Sequence, residues 1–183
     1  MKLILLTMGS ALAFAPALAH AQTETVFHGP YAGAEIGWED NSGALGKGFN
    51  YGLFGGYNTE VANNILVGAE IHANLSSADG DIGPDAEIKA RRSLGIAGRI
   101  GYLASPKTLF YGKVGYENVR IRREYNPDPL GLDKSTNNDG LLLGAGVEYA
   151  VMPTATVRVG YDYTNGQSGY DRHQIKTGMA FHF

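Results

Sequence analysis

Hydrophobic and polar residues alternate with a period of two along most of the chain beyond residue 30. In the first such segment Ile36 and Trp38 have one parity, and Glu35 has the other. Alternation of this kind places successive side chains on opposite faces of a β-strand. The eight alternating segments are 32–38, 49–58, 65–75, 94–102, 110–117, 141–149, 155–163 and 174–183. The pattern therefore predicts eight β-strands.

The two faces of these predicted strands differ sharply in charge. The apolar faces hold 39 positions without any Asp, Glu, Lys or Arg, although charged residues make up 18% of the chain. The opposite faces carry nine charged residues and most of the glycines in the segments. Two orientations are open: a soluble lipocalin-like ligand-binding barrel with the apolar face inside, or a membrane barrel with that face outside.

Bulky aromatic residues favour the membrane orientation, because they lie near the ends of the segments on the apolar face. Two rings of aromatic side chains are typical of the two interfaces of a membrane barrel. The residues predicted to form this aromatic girdle are Trp38, Phe49, Tyr51, Tyr116, Tyr161 and Tyr163 at one rim, and Tyr57, Tyr102, Phe110, Tyr149, Phe181 and Phe183 at the other.

The connections between the segments alternate in length, as in outer-membrane barrels, which have short periplasmic turns and long external loops. The predicted short connections are 59–64, 104–107 and 151–153, and the predicted long ones are 39–48, 76–86, 125–139 and 165–172. We therefore predict an all-β fold, an eight-stranded antiparallel up-and-down transmembrane β-barrel.

The first 21 residues have the features of a signal peptide. A positive start at Lys2 precedes an apolar stretch over residues 3–14, and Ala19 and Ala21 supply the small residues of a cleavage site. The apolar stretch is shorter than the roughly 20 residues that a spanning helix needs. We expect residues 1–21 to be removed and residues 22–183 to form one barrel domain in the outer membrane.

Several motifs resemble the small outer-membrane β-barrel proteins of Gram-negative bacteria, often called opacity-protein-like surface antigens or porin family proteins. They cover 29–38, 51–57, 67–70, 106–116, 144–149 and 171–174, and end with the closing Phe181-His182-Phe183. The resemblance implies the barrel fold, the outer-membrane location, and a terminal Phe183 that the barrel-assembly machinery reads as a signal. It implies little chemistry, since a fold does not fix a function.

In this orientation the charged face lines the lumen. The predicted lumen network comprises Glu35, Glu70, Lys89, Arg91, Arg99, Lys113, Glu117, Glu148, Arg158, Asp162 and Lys176. The predicted pairs are Glu70–Arg99, Lys113–Glu148, Glu148–Arg158, Asp162–Lys176, and Glu117 with Lys89 or Arg91. We expect a packed ionic plug, because an eight-stranded barrel is just wide enough for side chains. A small pore is the alternative.

A lipid-modifying hydrolase is a further alternative, since His72 has lumen parity near the outer rim and Ser76 follows it. Four strand residues separate the two side chains by about 13 Å, too far for a nucleophile and its base. We therefore predict no catalytic residue. The acidic segment 79–87 departs from the EF-hand pattern at Gly83 and Pro84, so neither a metal site nor a cofactor is expected.

Composition excludes several classes of function. The chain has 183 residues, a net charge of −3 and no cysteine. A nucleic-acid binder would need a clustered basic face, and thiolate metal sites and disulfides need cysteine. The function predicted is thus a monomeric structural or surface protein.

Two regions are candidate contact sites. A basic rim beside the outer ends of the segments could hold the phosphates of lipopolysaccharide; it consists of Lys89, Arg91, Arg92, Arg120, Arg122 and Arg123. The longest predicted loop, 125–139, contains several apolar residues and is the candidate for contact with a host or matrix ligand.

Overall fold

The alternating segments form β-strands. The computed structural model describes residues 25–42, 46–83, 86–125, 134–166 and 171–183. The strands within these ranges are β1 (Gly29–Asn41), β2 (Lys47–Ala62), β3 (Ile65–Ser76), β4 (Asp79–Gly83), β5 (Ala86–Ser105), β6 (Thr108–Tyr125), β7 (Lys134–Met152), β8 (Ala155–Gly166) and β9 (Asp171–His182).

Eight of these strands form a closed barrel. Every pairing is antiparallel, and the order runs β3-β2-β1-β9-β8-β7-β6-β5. The barrel closes because β3 also pairs with β5, from Ile65 opposite Tyr102 to Leu75 opposite Arg92. The short strand β4 pairs with the outer part of β5, beyond the barrel wall. The prediction of an eight-stranded antiparallel barrel is confirmed.

Tight turns connect the strands at one end of the barrel. Only residues 63–64, 106–107 and 153–154 separate the strands there. Asn64 adopts a positive φ of 65°, a conformation that asparagine tolerates better than most residues. Its side-chain amide donates a hydrogen bond to the Leu103 carbonyl at 3.1 Å and so ties this turn to the adjacent strand. This is the end predicted to be periplasmic.

At the opposite end the strands extend further than the alternation predicts. β1 continues to Asn41, β7 begins at Lys134, and the connection predicted over 76–86 contains β4. The predicted extents of the long connections 39–48, 76–86, 125–139 and 165–172 are therefore wrong. Hydrophobic alternation fades where both faces of a strand are polar, whereas the backbone hydrogen bonds continue. The central part of the longest connection, residues 126–133, lies outside the described residues.

The barrel carries its apolar side chains on the outside and its charged side chains on the inside. Ile36 and Leu53 are 62% and 66% exposed, whereas Glu70 and Glu117 are 1% and 0% exposed. In water an apolar surface of this extent would promote association; facing hydrocarbon it is in its preferred environment. The described residues contain no helix long and apolar enough to span a membrane.

Candidate functional site: the charged lumen

The structure places most of the predicted lumen residues inside the barrel. Nine of the eleven have described side chains, and all nine are buried: Glu35, Glu70, Arg99, Lys113, Glu117, Glu148, Arg158, Asp162 and Lys176. The side chains of Lys89 and Arg91 lie outside the described part of the chain. Alternation is the local cause, because each residue has the parity opposite to the apolar face of its strand.

Eight of these residues form what we call the central cluster, with four carboxylates and four cations. Arg158 donates to Glu70 at 2.6 Å and to Glu35 at 2.6 Å. Lys176 contacts Glu35 at 2.9 Å and Asp162 at 2.6 Å. The remaining contacts join Lys113 to Asp162 at 3.0 Å and to Glu70 at 3.3 Å, and Arg99 to Glu148 and to Glu70. With all eight side chains ionised, the cluster is neutral.

One contact of the central cluster crosses the full width of the lumen. Arg158 lies on β8 and Glu70 on β3, four strands apart in a barrel of eight. Side chains that meet from opposite walls leave little free cross-section between them. The eight residues come from seven of the eight barrel strands.

A second group, the upper cluster, lies nearer the end of the barrel opposite the tight turns. Arg172 donates to Glu39 at 2.6 Å and to Glu117 at 3.2 Å. His72 contacts Glu117 at 3.3 Å, and Thr164 donates to the same carboxylate at 2.5 Å. The alternating pattern does not predict Glu39 and Arg172 as lumen residues, because it places both in loops. Their lumen parity, continued along β1 and β9, is the signal that could have revealed them.

The partners inside the lumen differ in part from those expected. The contacts Glu70–Arg99 and Asp162–Lys176 are present. Glu148 and Arg158 are directly opposite on β7 and β8, but Arg158 extends across the lumen instead. The predicted pair Lys113–Glu148 is replaced by contacts of Lys113 with Glu70 and Asp162. Glu117 contacts Arg172, and its predicted pairing with Lys89 or Arg91 concerns side chains outside the described part of the chain. Long side chains in a narrow barrel reach partners beyond the neighbouring strand.

Aromatic side chains share the lumen with the charges. The Arg158 guanidinium lies 3.3 Å from the centroid of the Phe54 ring, and that of Arg99 lies 4.0 Å from the Tyr111 ring. The Tyr31 hydroxyl donates to Glu70 at 3.0 Å. Cations over aromatic faces are stabilised further when they are removed from water. These rings fill the space around the ion pairs.

Lumen glycines make room for these large side chains. A Cβ on Gly144 would lie 2.2 Å from an Asp162 carboxylate oxygen, and one on Gly95 would lie 2.3 Å from the His72 ring. By contrast, Gly112 points outward, and its nearest heavy atom would be 3.8 Å away. The excess of glycine on the charged face thus has a steric cause.

The end of the lumen beside the tight turns is apolar, a feature that hydrophobic alternation does not predict. Phe27 precedes β1 and is fully buried, in a cluster with Leu66, Leu103, Leu109 and Ala150. Its carbonyl accepts a hydrogen bond from the Asn58 side chain at 3.1 Å, which fixes the segment in the barrel mouth. The ionic clusters therefore lie above an apolar layer.

The twelve residues predicted to form the aromatic girdle all face outward. Eleven are exposed and Tyr163 is half-buried. Trp38 and Phe49 pack edge to face across β1 and β2, with ring centroids 4.7 Å apart. Phe183, the predicted assembly signal, is 79% exposed, and its backbone amide donates to the Pro30 carbonyl at 3.0 Å.

The residues considered for hydrolysis contact different carboxylates. His72 lies against Glu117 at 3.3 Å, and the Ser76 hydroxyl donates to Glu39. Among the described residues, no group of three His, Asp or Glu side chains is arranged to hold a metal ion. What this arrangement offers chemically is a buried network of ion pairs whose central cluster is neutral.

Sequence comparisons relate the chain to outer-membrane proteins. A family model for the outer membrane protein β-barrel domain matches residues 4–183. The 31 kDa outer-membrane immunogenic protein of Brucella melitensis is 31% identical over 178 residues, covering 79% of this chain and 73% of that protein. A 22 kDa outer membrane protein of Rhizobium leguminosarum is 31% identical over 150 residues, covering 74% and 67%.

Solved structures share the fold. The attachment invasion locus protein Ail of Yersinia pestis is 15% identical, with a TM-score of 0.60, covering 85% of this chain and 99% of Ail. Neisserial surface protein A is 20% identical, with a TM-score of 0.60, covering 84% and 97%. At these identities the likeness concerns the architecture of the barrel alone.

Proposed function

The chain belongs to the outer membrane protein β-barrel domain family, and on that premise we propose that it is a surface barrel with a lumen closed to solutes. The family and the named relatives locate it in the outer membrane. The observation that carries closure is the Arg158–Glu70 contact of 2.6 Å between opposite walls. A solute passing this level would have to separate buried ion pairs, which costs several kcal/mol for each uncompensated charge.

The apolar layer below supports closure by a different mechanism. Phe27, Leu66 and Leu109 offer no hydrogen-bond partners to a hydrated ion. An ion crossing this layer would lose part of its hydration without compensation. Two layers of opposite polarity thus oppose passage at two levels.

Solute flux into liposomes tests the closed lumen. Refolded protein in liposomes is placed in an isotonic arabinose solution, and swelling is followed by light scattering against an open porin as a positive control. We expect liposomes that contain the protein to swell at the same rate as protein-free liposomes, whatever the protein density. A rate that rises with the amount of folded protein would exclude a closed lumen and favour the small-pore alternative.

The support for a surface role comes from the external connections, of which the longest runs between β6 and β7. A rigid barrel that presents such a connection is a common arrangement for recognition. We propose contact with a host or matrix ligand there.

Replacing residues 127–132 by a Gly-Ser linker should lower cell adhesion, whereas replacing residues 167–170 by a Gly-Ser linker should leave it unchanged. Unaltered adhesion after the first replacement would refute the surface contact.

Four further features belong to the proposed surface barrel. They are removal of residues 1–21 during export, insertion by the assembly machinery through Phe183, a monomeric state and a non-catalytic role. His72 and Ser76 support the last, because each contacts a different carboxylate and neither is poised to activate the other.

A further inference from the structure

Two arginines face each other on the outer surface of the barrel. Arg92 of β5 and Arg120 of β6 are directly opposite in the antiparallel register, and both are exposed. Directly opposite residues on one face have Cβ atoms about 5 Å apart. Within the described residues, neither guanidinium has an ion-pair or hydrogen-bond partner.

This pair is unfavourable unless an anion joins it. Like charges directly opposite on adjacent strands destabilise a sheet. Asp139, an acid of β7, is engaged by the Asn118 amide at 2.6 Å and by the Tyr116 hydroxyl instead of by either arginine. Within the described residues, the two positive charges thus have no carboxylate at ion-pair distance.

The corresponding position on the other side of the barrel is neutral. Beyond the aromatic pair Trp38–Phe49, the next outward pair on β1 and β2 is Asp40 with Lys47, at 3.2 Å. There the protein supplies its own counter-ion. Among the described residues, the lack of a paired carboxylate is therefore a feature of the β5–β6 face that the β1–β2 face does not share.

The height of the pair points to the class of anion. On the outward face of β5 and β6, Ile96 is opposite Tyr116, and Arg92 is opposite Arg120 four residues further out. That separation is about 13 Å along the strands. Tyr116 belongs to the girdle predicted for the interface, so the arginines lie beyond the apolar belt, on the side of the polar outer layer that contains the phosphates of outer-leaflet lipids.

The backbone register extends the basic character outward. In the backbone register Lys89 is opposite Arg122, and Arg122 has the same parity on β6 as Arg120. A second basic pair at this parity, beyond an apolar belt, is complementary to a layer of phosphates. Arginine is suited to such a layer because its planar fork binds phosphate oxygens through two parallel hydrogen bonds.

We propose that Arg92 and Arg120 bind a phosphate of a phosphorylated lipid in the outer leaflet, the class that includes lipopolysaccharide. This site rests on the membrane location of the proposed function but not on the closed lumen. The phosphate-binding site and the closed lumen can therefore fail independently, since lipid binding and solute flux are measured separately.

Lipid binding to the folded full-length barrel in neutral detergent tests the site. Native mass spectrometry compares lipid A carrying its phosphates with the same lipid after dephosphorylation. We expect the wild type to bind the phosphorylated lipid about tenfold more tightly, and the variant Arg92→Gln/Arg120→Gln to lose that preference. Arg92→Lys/Arg120→Lys should retain part of it, because the charge remains but the fork is lost.

A matched control removes two exposed charges elsewhere. Lys47→Gln/Lys107→Gln lowers the net charge equally and should keep the full preference. The proposal is overturned if the arginine variant keeps the preference, if the control loses as much, or if millimolar inorganic phosphate displaces the lipid. Folding is checked by heat modifiability on gels. If the double variant does not fold, the single variant Arg120→Gln is measured in the same way. An unchanged preference of that variant for the phosphorylated lipid would also overturn the proposal.

Discussion

Glu70 is the residue on which the central cluster depends most. Its carboxylate is contacted by Arg158 at 2.6 Å, by Lys113 at 3.3 Å and by Arg99 at 3.4 Å. Three cations around one buried carboxylate are stable only while the other acids of the cluster balance them. Charges in the central cluster are thus balanced by several neighbouring charges and not by single partners.

Glu70→Gln should destabilise the barrel by about 3 kcal/mol or more, because it leaves one buried positive charge uncompensated. The measurement is urea-dependent unfolding in phospholipid vesicles. Glu70→Gln/Lys113→Gln restores neutrality and should recover part of the loss. Asp40→Asn is the control, since this exposed acid should change stability by less than about 1 kcal/mol. A Glu70→Gln variant as stable as the control would contradict the network.

Parity predicts which residues enter the lumen but not which partners they meet there. The nine lumen residues with described side chains follow from alternation alone. The Arg158–Glu70 contact does not, because it depends on the diameter of the closed barrel and on the length of the arginine side chain. Pairing by neighbouring strands identified Asp162–Lys176 and failed for Lys113–Glu148.

At the scale of the strand, glycine distinguishes the two faces of the barrel wall. Gly112 of β6 and Gly144 of β7 lie close together on adjacent strands and point in opposite directions. A Cβ on Gly144 would meet Asp162 at 2.2 Å and Lys113 at 2.7 Å. These two side chains are held in an ion pair at 3.0 Å and cannot yield freely.

Gly144→Ala should therefore cost about 1–3 kcal/mol of unfolding free energy through crowding of the ion pair. Gly112→Ala is the matched control and should be neutral or stabilise by up to about 1 kcal/mol, since the site is open and alanine restricts the unfolded chain. Urea unfolding in vesicles measures both. Equal effects at the two positions would contradict the assignment of faces.

The ends of the strands were the part of each element that the sequence predicted least well. The alternation that reveals Ile36 and Trp38 as outward residues is lost at Asp40 and Asn41, where both faces are polar. β1 nevertheless continues there, because its backbone still pairs with β2 and β9. This is why the alternating pattern predicts a loop at Glu39 although the residue is fully buried.

At the scale of the whole molecule, the barrel has its apolar surface outside and its ion pairs inside. Trp38 is the only tryptophan in the sequence and lies outward near the C-terminal end of β1, far from the tight turns. Its side chain is 45% exposed. The indole therefore reports on the environment of the outer surface.

Fluorescence of Trp38 should be quenched by lipids that carry bromine on their acyl chains. Because interfacial tryptophans sit at headgroup level, bromines near the headgroup should quench more than bromines deep in the chain. Refolding into brominated and unbrominated vesicles of otherwise equal composition gives the comparison. Fluorescence insensitive to bromine at every depth would place Trp38 away from lipid and contradict the outward orientation.

The mouth of the barrel is the whole-molecule feature least accessible from sequence. Phe27 precedes the first alternating segment, and no periodic pattern connects it with Leu66, Leu103 or Leu109. Its burial results from closure of the barrel, which brings the ends of distant strands around one small space. Local patterns carry no information about a contact of that kind.

Electrical conductance in a planar bilayer tests the closed lumen most directly. Protein refolded in detergent and shown to be heat-modifiable is inserted in molar KCl, and current is recorded over a range of voltages. The ion pairs across the lumen and the apolar layer at Phe27 predict insertion without stable ohmic conductance. Reproducible steps of uniform conductance that scale with the number of inserted barrels would contradict a closed lumen.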